Sequence, residues 1–416
     1  MKQIILFISR VFIGIVFLFS GFVKAVDPLG STYKFTDYFV AFHLDFLTPL
    51  AMPLAIFLST AELVIGFCMF TGLRLRFASW LTLIFMVVFT PLTLILALTN
   101  PVTDCGCFGD AIILTNWQTF WKNIILDALV IPVFIFRKNF KINYDGIAEW
   151  LLAGSFALVT VWLSVYCYKE LPVIDFRPYK VGTNIPEGMK IPEGAEPDEY
   201  KTILVYEKDG VQEEFTEENY PWQDTTWKWV ETKSVLVKKG YETPIHDFSL
   251  TSLDGYDITS ELLQYTGYTF LMVAYNFDKT NKEAFVEANN LALMAYGRDM
   301  NFYCVTSSTN EEIETIKSEL SPVFEIFTAD EITLKTIVRA NPGLLLIKEG
   351  NILGKWHYNS FPSVDELTNK DLLAYSLNIQ RSHKEKALVY SFIFAFLFAV
   401  AFFGKILRKE KRMGNN

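Results

Sequence analysis

The sequence predicts an α-helical membrane bundle of six spans that carries one large α/β domain in water. The first observation behind this is a conflict in composition: mean hydropathy is positive, +0.26, although 20% of the residues are charged. Both hold only if apolar and polar residues are segregated along the chain. They are: residues 1–168 and 385–407 are crowded with Phe, Leu, Ile and Val, while 169–384 have an ordinary soluble composition. The third observation is length. A bilayer core needs roughly 20 apolar residues in a helix, and six stretches meet it, at 4–23, 47–71, 77–99, 118–136, 149–168 and 386–407. The net charge of −9 sits mostly in the soluble part and excludes a nucleic-acid partner, which would want a basic surface. The partners this composition implies are a lipid bilayer and a protein.

Segment 4–23 follows Lys2 and has the outline of a signal peptide. No small-residue cleavage site closes it, and Lys24 and Asp27 follow directly, so it is expected to stay as the first span. Orientation follows from Lys and Arg beside the helix ends. Arg74 and Arg76 lie between segments two and three, Arg137, Lys138 and Lys141 between four and five, and Lys405, Arg408, Lys409, Lys411 and Arg412 after six. Six crossings place these on one side with the N-terminus, predicted to be cytoplasmic. The opposite loops carry Asp27, Asp37, Asp45, Asp104 and Asp110. A multi-pass protein of a bacterial cytoplasmic (inner) membrane is expected, N-in and C-in, with its soluble domain periplasmic. The expected divisions are a four-span domain at 1–140, a fifth span at 141–168, a small β-rich connector at 169–240, an α/β domain at 241–383, and a sixth span with a basic tail at 384–416.

In the connector, Lys201–Glu207 and Lys233–Lys238 read as strands and Asn184–Glu199, with its Pro-linked turns, as a loop. Tyr220, Trp222, Trp227 and Trp229 either plug a small core or form a binding surface. Beyond it, Asp247–Leu253, Tyr268–Tyr275 and Met300–Val305 read as strands, Lys282–Tyr296 and Asn310–Leu320 as helices, and Gly343–Ile347 with Asn351–Trp356 as a hairpin. Strands alternating with helices and ending in a hairpin predict a mixed sheet. The run Pro244-Ile245-His246-Asp247-Phe248-Ser249-Leu250 and the turn Ala340-Asn341-Pro342-Gly343 resemble thioredoxin-like proteins of the peroxiredoxin and thiol-reductase type. That resemblance implies a cis bond at Pro342. It also locates a departure. Where active relatives carry cysteine after the buried strand, this chain reads Tyr275-Asn276-Phe277-Asp278-Lys279-Thr280-Asn281, and without sulfur thiol exchange cannot occur there. Cys304, inside a predicted central strand, reads as a buried structural thiol.

The membrane part holds ionisable residues where lipid penalises them: Arg10, Lys24, Glu62 and Asp127. Such groups face the bundle interior and pair, either as a buried Arg–Glu or Lys–Asp pair that fixes packing or as a proton or solute path. Glu62 and Gly66 share a helix face, which allows close helix approach. The most chemical stretch is Thr103-Asp104-Cys105-Gly106-Cys107-Phe108-Gly109-Asp110. Two cysteines one residue apart on an oxidising side invite a disulfide, and so small a ring is strained and therefore labile. A redox pair, a static tied turn and other chemistry all remain open, with Asp104 and Asp110 expected to disfavour a thiolate. The histidines (His43, His246, His357, His383) are scattered and make no zinc cluster. Cys68 lies too far from the loop to reach it, and Cys167 reads as a lipid-facing thiol.

Four helices, Arg10-x-x-x-Gly14, Ser20-Gly21-x-x-Lys24 and Glu62-x-x-x-Gly66 resemble the DoxX family over residues 4–140, and the Cys105-Gly106-Cys107-Phe108-Gly109 loop resembles its MauE branch. The resemblance implies a four-helix DoxX-like core with two further spans, a redox association, Cys105 and Cys107 as the redox pair, and a quinone as acceptor. No second cysteine pair stands at the membrane boundary. The leading expectation is disulfide exchange between this pair and a periplasmic partner, with the thioredoxin-like domain as docking module. The alternatives are a non-enzymatic assembly factor for an envelope protein, and a small-solute or proton pathway through the charged bundle.

Overall fold

The computed structural model describes residues 2–140, 146–196, 199–208, 210–216, 219–238, 240–368 and 371–413. Six helices are long and apolar enough to cross a membrane: α1 (Lys2–Val26), α3 (Ala51–Thr71), α4 (Leu75–Thr99), α5 (Asn116–Ile135), α6 (Gly146–Lys169) and the apolar part of the last helix. The protein is a multi-pass membrane protein. Of the basic residues used for orientation, Lys141 and the side chains of Lys405, Arg408, Lys409, Lys411 and Arg412 lie outside those described.

Close packing of α1 on α3 organises the bundle, and glycine is what permits it. A Cβ on Gly66 would stand 2.6 Å from the Leu18 nitrogen and 2.9 Å from the Gly14 carbonyl, and one on Gly21 2.7 Å from the Leu63 nitrogen. Backbone cannot yield as a side chain can. Gly66→Leu is therefore expected to destabilise the protein by at least about 2–3 kcal/mol, read as lost resistance to thermal unfolding in detergent; an unchanged unfolding profile refutes it.

Between α1 and α3 lies α2 (Pro28–Ala41), which the hydropathy pattern does not reveal because only Pro28 and Phe39 of its 14 residues are buried. Asp27 caps it, accepting the Gly30 N–H at 2.9 Å, and Pro28 opens it, where a missing N–H costs nothing.

The soluble part holds two sheets. The first is antiparallel, in the order β2-β1-β3, from β1 (Glu199–Lys208), β2 (Val211–Thr216) and β3 (Lys228–Lys238). Tyr206 stacks on Tyr220 and Trp227 meets Phe215 edge-on, while Trp222 and Trp229 are exposed. Just before it, the stretch read as loop forms a short helix, α7 (Ile185–Met189), because Asn184 caps it and Pro186 stands in its first turn. The linker leaving α6 is fastened to the second sheet: Asp175 binds Arg177 at 2.8 Å and accepts from Lys355 at 3.1 Å.

The second sheet has six strands in the order β4-β7-β6-β5-β8-β9. They are β4 (Thr251–Ser252), β5 (Tyr268–Val273), β6 (Asn301–Thr306), β7 (Glu325–Thr328), β8 (Gly343–Lys348) and β9 (Asn351–His357), interleaved with α8 (Thr259–Gln264), α9 (Ala284–Tyr296), α10 (Asn310–Leu320) and α11 (Glu331–Ile337). Strands β5, β6 and β7 run parallel, and β8 and β9 return antiparallel. A parallel β-α-β unit flanked by an antiparallel hairpin is the thioredoxin-like arrangement. The Asn341–Pro342 bond is cis. The strand expected over Asp247–Leu253 shrinks to Thr251–Ser252, since the rest packs its apolar side chains, Phe248 and Leu250, without a ladder.

After α12 (Val364–Thr368), the last helix, α13 (Leu372–Met413), has 42 residues. Leu372 is buried in the core of the sheet, while Phe398 packs edge-on against Phe67 of α3. The expected span at 386–407 is thus the later part of one rod, roughly 60 Å long, which closes the α/β domain and then enters the bundle.

Candidate functional site

The loop between α4 and α5 builds the site. Gly106 stands at φ +65°, a conformation that costs any residue with a Cβ, and the resulting turn folds its two neighbours together. The Cys105 and Cys107 Sγ atoms are 2.9 Å apart and both thiols are free. Asp104 holds the turn by accepting the Gly106 N–H at 2.8 Å.

Beneath the loop lies a buried ion pair that the α1–α3 crossing creates. Lys24 Nζ donates to Glu62 at 2.9 and 3.0 Å, to Ser20 Oγ at 2.7 Å and to the Cys107 carbonyl at 2.6 Å. Ser20 donates to the same carbonyl at 2.7 Å, and Tyr38 of α2 donates to the Cys105 carbonyl at 2.7 Å. Both cysteine carbonyls are therefore pinned, one from the bundle and one from α2.

Of the four intramembrane ionisable residues, the structure brings Lys24 and Glu62 together and leaves two elsewhere. The pairing is Lys–Glu, not the Arg–Glu or Lys–Asp expected from sequence. Arg10 precedes Lys24 by four turns of α1, roughly 20 Å away, and lies buried beside Gly72 with the Phe7 ring 5.0 Å from its guanidinium carbon. Asp127 accepts from Thr90 at 2.9 Å. Cys68 is buried near the end of α3. Cys167 is 1% exposed and packed against other spans rather than facing lipid, because the linker after α6 folds back over it. Cys304 is wholly buried in β6, and burial pushes its thiol up.

The electrostatics of the pair differ from what the flanking residues imply. Asp104 is bound by Lys34 at 2.6 Å and Asp110 by Arg339 at 2.7 Å, so both carboxylates are neutralised. The groups that act on Cys107 are others. The hydrogen bond with Cys105 favours its thiolate, burial opposes, and the Lys122 and Lys24 ammonium groups add attraction, which together draw Cys107 down to about 6. Cys105 is held up by the same hydrogen bond and by burial. Below its midpoint Cys107 is a protonated, unreactive thiol, and above it a thiolate. Its alkylation rate is thus expected to rise through about pH 6 and level off by neutrality, whereas an ordinary cysteine rises near 8.5. A rate still climbing at pH 8 refutes this.

The pair opens on a cavity of about 290 Å³. Its depth is apolar, from Phe17 of α1, Phe85 and Phe89 of α4 and Leu126 of α5; its polar end is Lys24, Glu62 and Lys122 beside the thiols. Lys122 stands 4.6 Å above the Phe108 ring, and no carboxylate pairs with it among the described residues. Sequence reasoning passed over Lys122, Lys34, Tyr38 and Arg339. For Lys122 the signal was present: a lysine inside an apolar stretch.

The thioredoxin-like domain adds no sulfur. Its Tyr275–Asn281 segment, without cysteine, lies beside the cis-proline turn: the Asn281 N–H donates to the Asn341 carbonyl at 3.1 Å, and Asn341 Nδ2 to the Asn276 carbonyl at 2.7 Å. This side of the domain faces the membrane part. Arg339 binds Asp27 through Nε at 2.9 and 3.0 Å, and Tyr33 of α2 meets Tyr275, their hydroxyls 3.3 Å apart.

Against curated protein sequences the chain gives no match. Residues 200–239, which hold the three-stranded sheet, match a family model described as Domain of unknown function (DUF8463). Among solved structures, similar chains are MTB dsbF in its mixed oxidized and reduced forms (20% identity, TM-score 0.25, 29% of this chain and 90% of that one), a secreted Mycobacterium tuberculosis disulfide oxidoreductase homologous to E. coli DsbE (16%, 0.24, 29% and 92%), and a thioredoxin-like protein from Aeropyrum pernix (15%, 0.24, 29% and 86%). Residues 2–136 match the family model described as Methylamine utilisation protein MauE. The chain is thus similar to MauE over residues 2–136, and its second sheet, by its own strand order thioredoxin-like, carries no cysteine in Tyr275–Asn281.

Proposed function

We propose that this is a DoxX/MauE-type redox protein of the bacterial inner membrane, in which Cys105 and Cys107 cycle between dithiol and disulfide. One observation carries the reading: two free thiols in contact stand at the polar end of an apolar cavity reaching into the bundle. Sulfur chemistry of this kind needs a thiolate and an acceptor. Cys107, drawn down by its neighbours, supplies the first, and the cavity admits a bilayer-dissolved quinone as the second. In the first step the Cys105–Cys107 disulfide takes two electrons and two protons from a partner protein's dithiol, leaving the partner oxidised. In the second the dithiol passes two electrons and two protons to the quinone, which leaves as the quinol. The loop and the soluble domain face the periplasm, where the partner resides, and the termini face the cytoplasm. The thioredoxin-like domain acts as docking module, its cis-proline side already turned towards the loop.

Arg10 and Asp127 stand apart from the Lys24–Glu62 pair, which weighs against a continuous proton or solute path. The test is thiol trapping in cells with a mass tag, with and without quinone synthesis. Loss of quinone is expected to shift the pair to the dithiol. A pair that stays oxidised under both conditions makes the bond a static turn and removes the redox reading.

A further inference from the structure

The cysteine pair has two approaches. One is the apolar cavity lined by α1, α4 and α5. The other, from the water at the soluble end, is roofed by α2. Tyr38 holds the Cys105 carbonyl, Lys34 holds Asp104, and the Lys34 stem lies 3.0 Å from where a Gly106 Cβ would stand.

This roof is only partly sunk into the protein: Pro28 and Phe39 of α2 are buried, ten of its residues are half-buried and two are exposed. An element with so few buried residues opens at low free energy unless something else fastens it. The thioredoxin-like domain does. The Arg339 guanidinium, 6% exposed, binds Asp27 at the start of α2 and reaches Asp110 in the cysteine loop. Tyr33 packs edge-on against Tyr275, and the Lys335 ammonium lies 4.9 and 5.5 Å from the two ring centres. The residues that fasten α2 are therefore those flanking the cis-proline turn and the cysteine-free segment. From these contacts we infer that α2 is a lid over the Cys105–Cys107 pair, latched by the thioredoxin-like domain, so that a partner docking on the domain's cis-proline side also uncovers the thiols. The inference rests on the redox reading for its purpose, but the latch is testable without it.

The experiment uses the full chain in nanodiscs, reacted separately with a charged, membrane-impermeant maleimide and with N-ethylmaleimide, with labelled cysteines identified by peptide mass. Arg339→Gln is expected to speed impermeant labelling of the pair at least about tenfold, because it unpairs two half-buried carboxylates at once, and to change N-ethylmaleimide labelling far less. Asp27→Asn cuts the same latch while keeping a residue that caps α2 well, so it decides the matter if the arginine variant folds poorly. Unchanged impermeant rates in both variants overturn the lid. So does acceleration that extends to Cys304, which would report general unfolding. Faster labelling in a protein whose pair never cycles in cells would keep the lid and remove the redox function.

Discussion

Serine at Cys105 is expected to trap this protein on its partner as a mixed disulfide, while serine at Cys107 captures nothing. The asymmetry follows from the proton between the two sulfurs. The contact between the sulfurs, with the Lys122 and Lys24 cations on the Cys107 side, draws Cys107 down and leaves Cys105 up. The thiolate is the attacking species in exchange, so in the reverse of the oxidising step Cys107 opens the partner's new disulfide and Cys105 resolves the intermediate, and the forward step passes through the same Cys107–partner bond. Without Cys105 the intermediate accumulates; without Cys107 no attack begins, and exchange falls to background. Non-reducing electrophoresis of acid-quenched membranes reads both outcomes directly. Capture by the Cys107→Ser variant instead would reverse the assignment, and capture by neither would remove it.

The second large effect belongs to Glu62. Its carboxylate is the only anion against the Lys24 ammonium among the described residues, and the two side chains are 4% and 9% exposed. Glu62→Leu leaves that ammonium buried with neutral acceptors alone, at a cost of about 3–5 kcal/mol. Removing both charges, with Lys24→Leu added, is expected to recover much of this, because no unpaired charge then remains. Unfolding in detergent of the two single variants and the double one measures it. Wild-type stability in Glu62→Leu would show that the pair does not hold α1, α3 and the cysteine loop together. The double variant also removes one of the two donors to the Cys107 carbonyl, so its loop is expected to exchange its amide hydrogens faster.

The parts legible in the sequence are those governed by local composition. Six apolar stretches had to leave water, and Gly66, on one helix face with Glu62, marked a close helix approach. Cys105-Gly106-Cys107 showed by spacing alone where two sulfurs could meet. The missing sulfur in Tyr275–Asn281 was equally plain, since a nucleophile cannot be supplied by context. The α2 helix was not legible, because a helix burying two residues of fourteen shows no strong period. The start of α13 was hidden for the opposite reason: its polar first turns and apolar later ones differ in solvent, not in conformation.

The cysteine loop shows where local reading fails. Asp104 and Asp110 are its neighbours in sequence and argue for a protonated thiol. Lys34 and Arg339, 70 and 229 residues away from the carboxylates they bind, cancel them, and Lys24 and Lys122 take their place beside Cys107. By itself the sequence determined the bilayer, the thiol pair and the thioredoxin-like plan, since each follows from hydropathy, residue type or strand order along the chain. Only the tertiary structure decided which charges meet which sulfur and which surface covers them. Coulomb forces act through space, and the fold alone sets that distance.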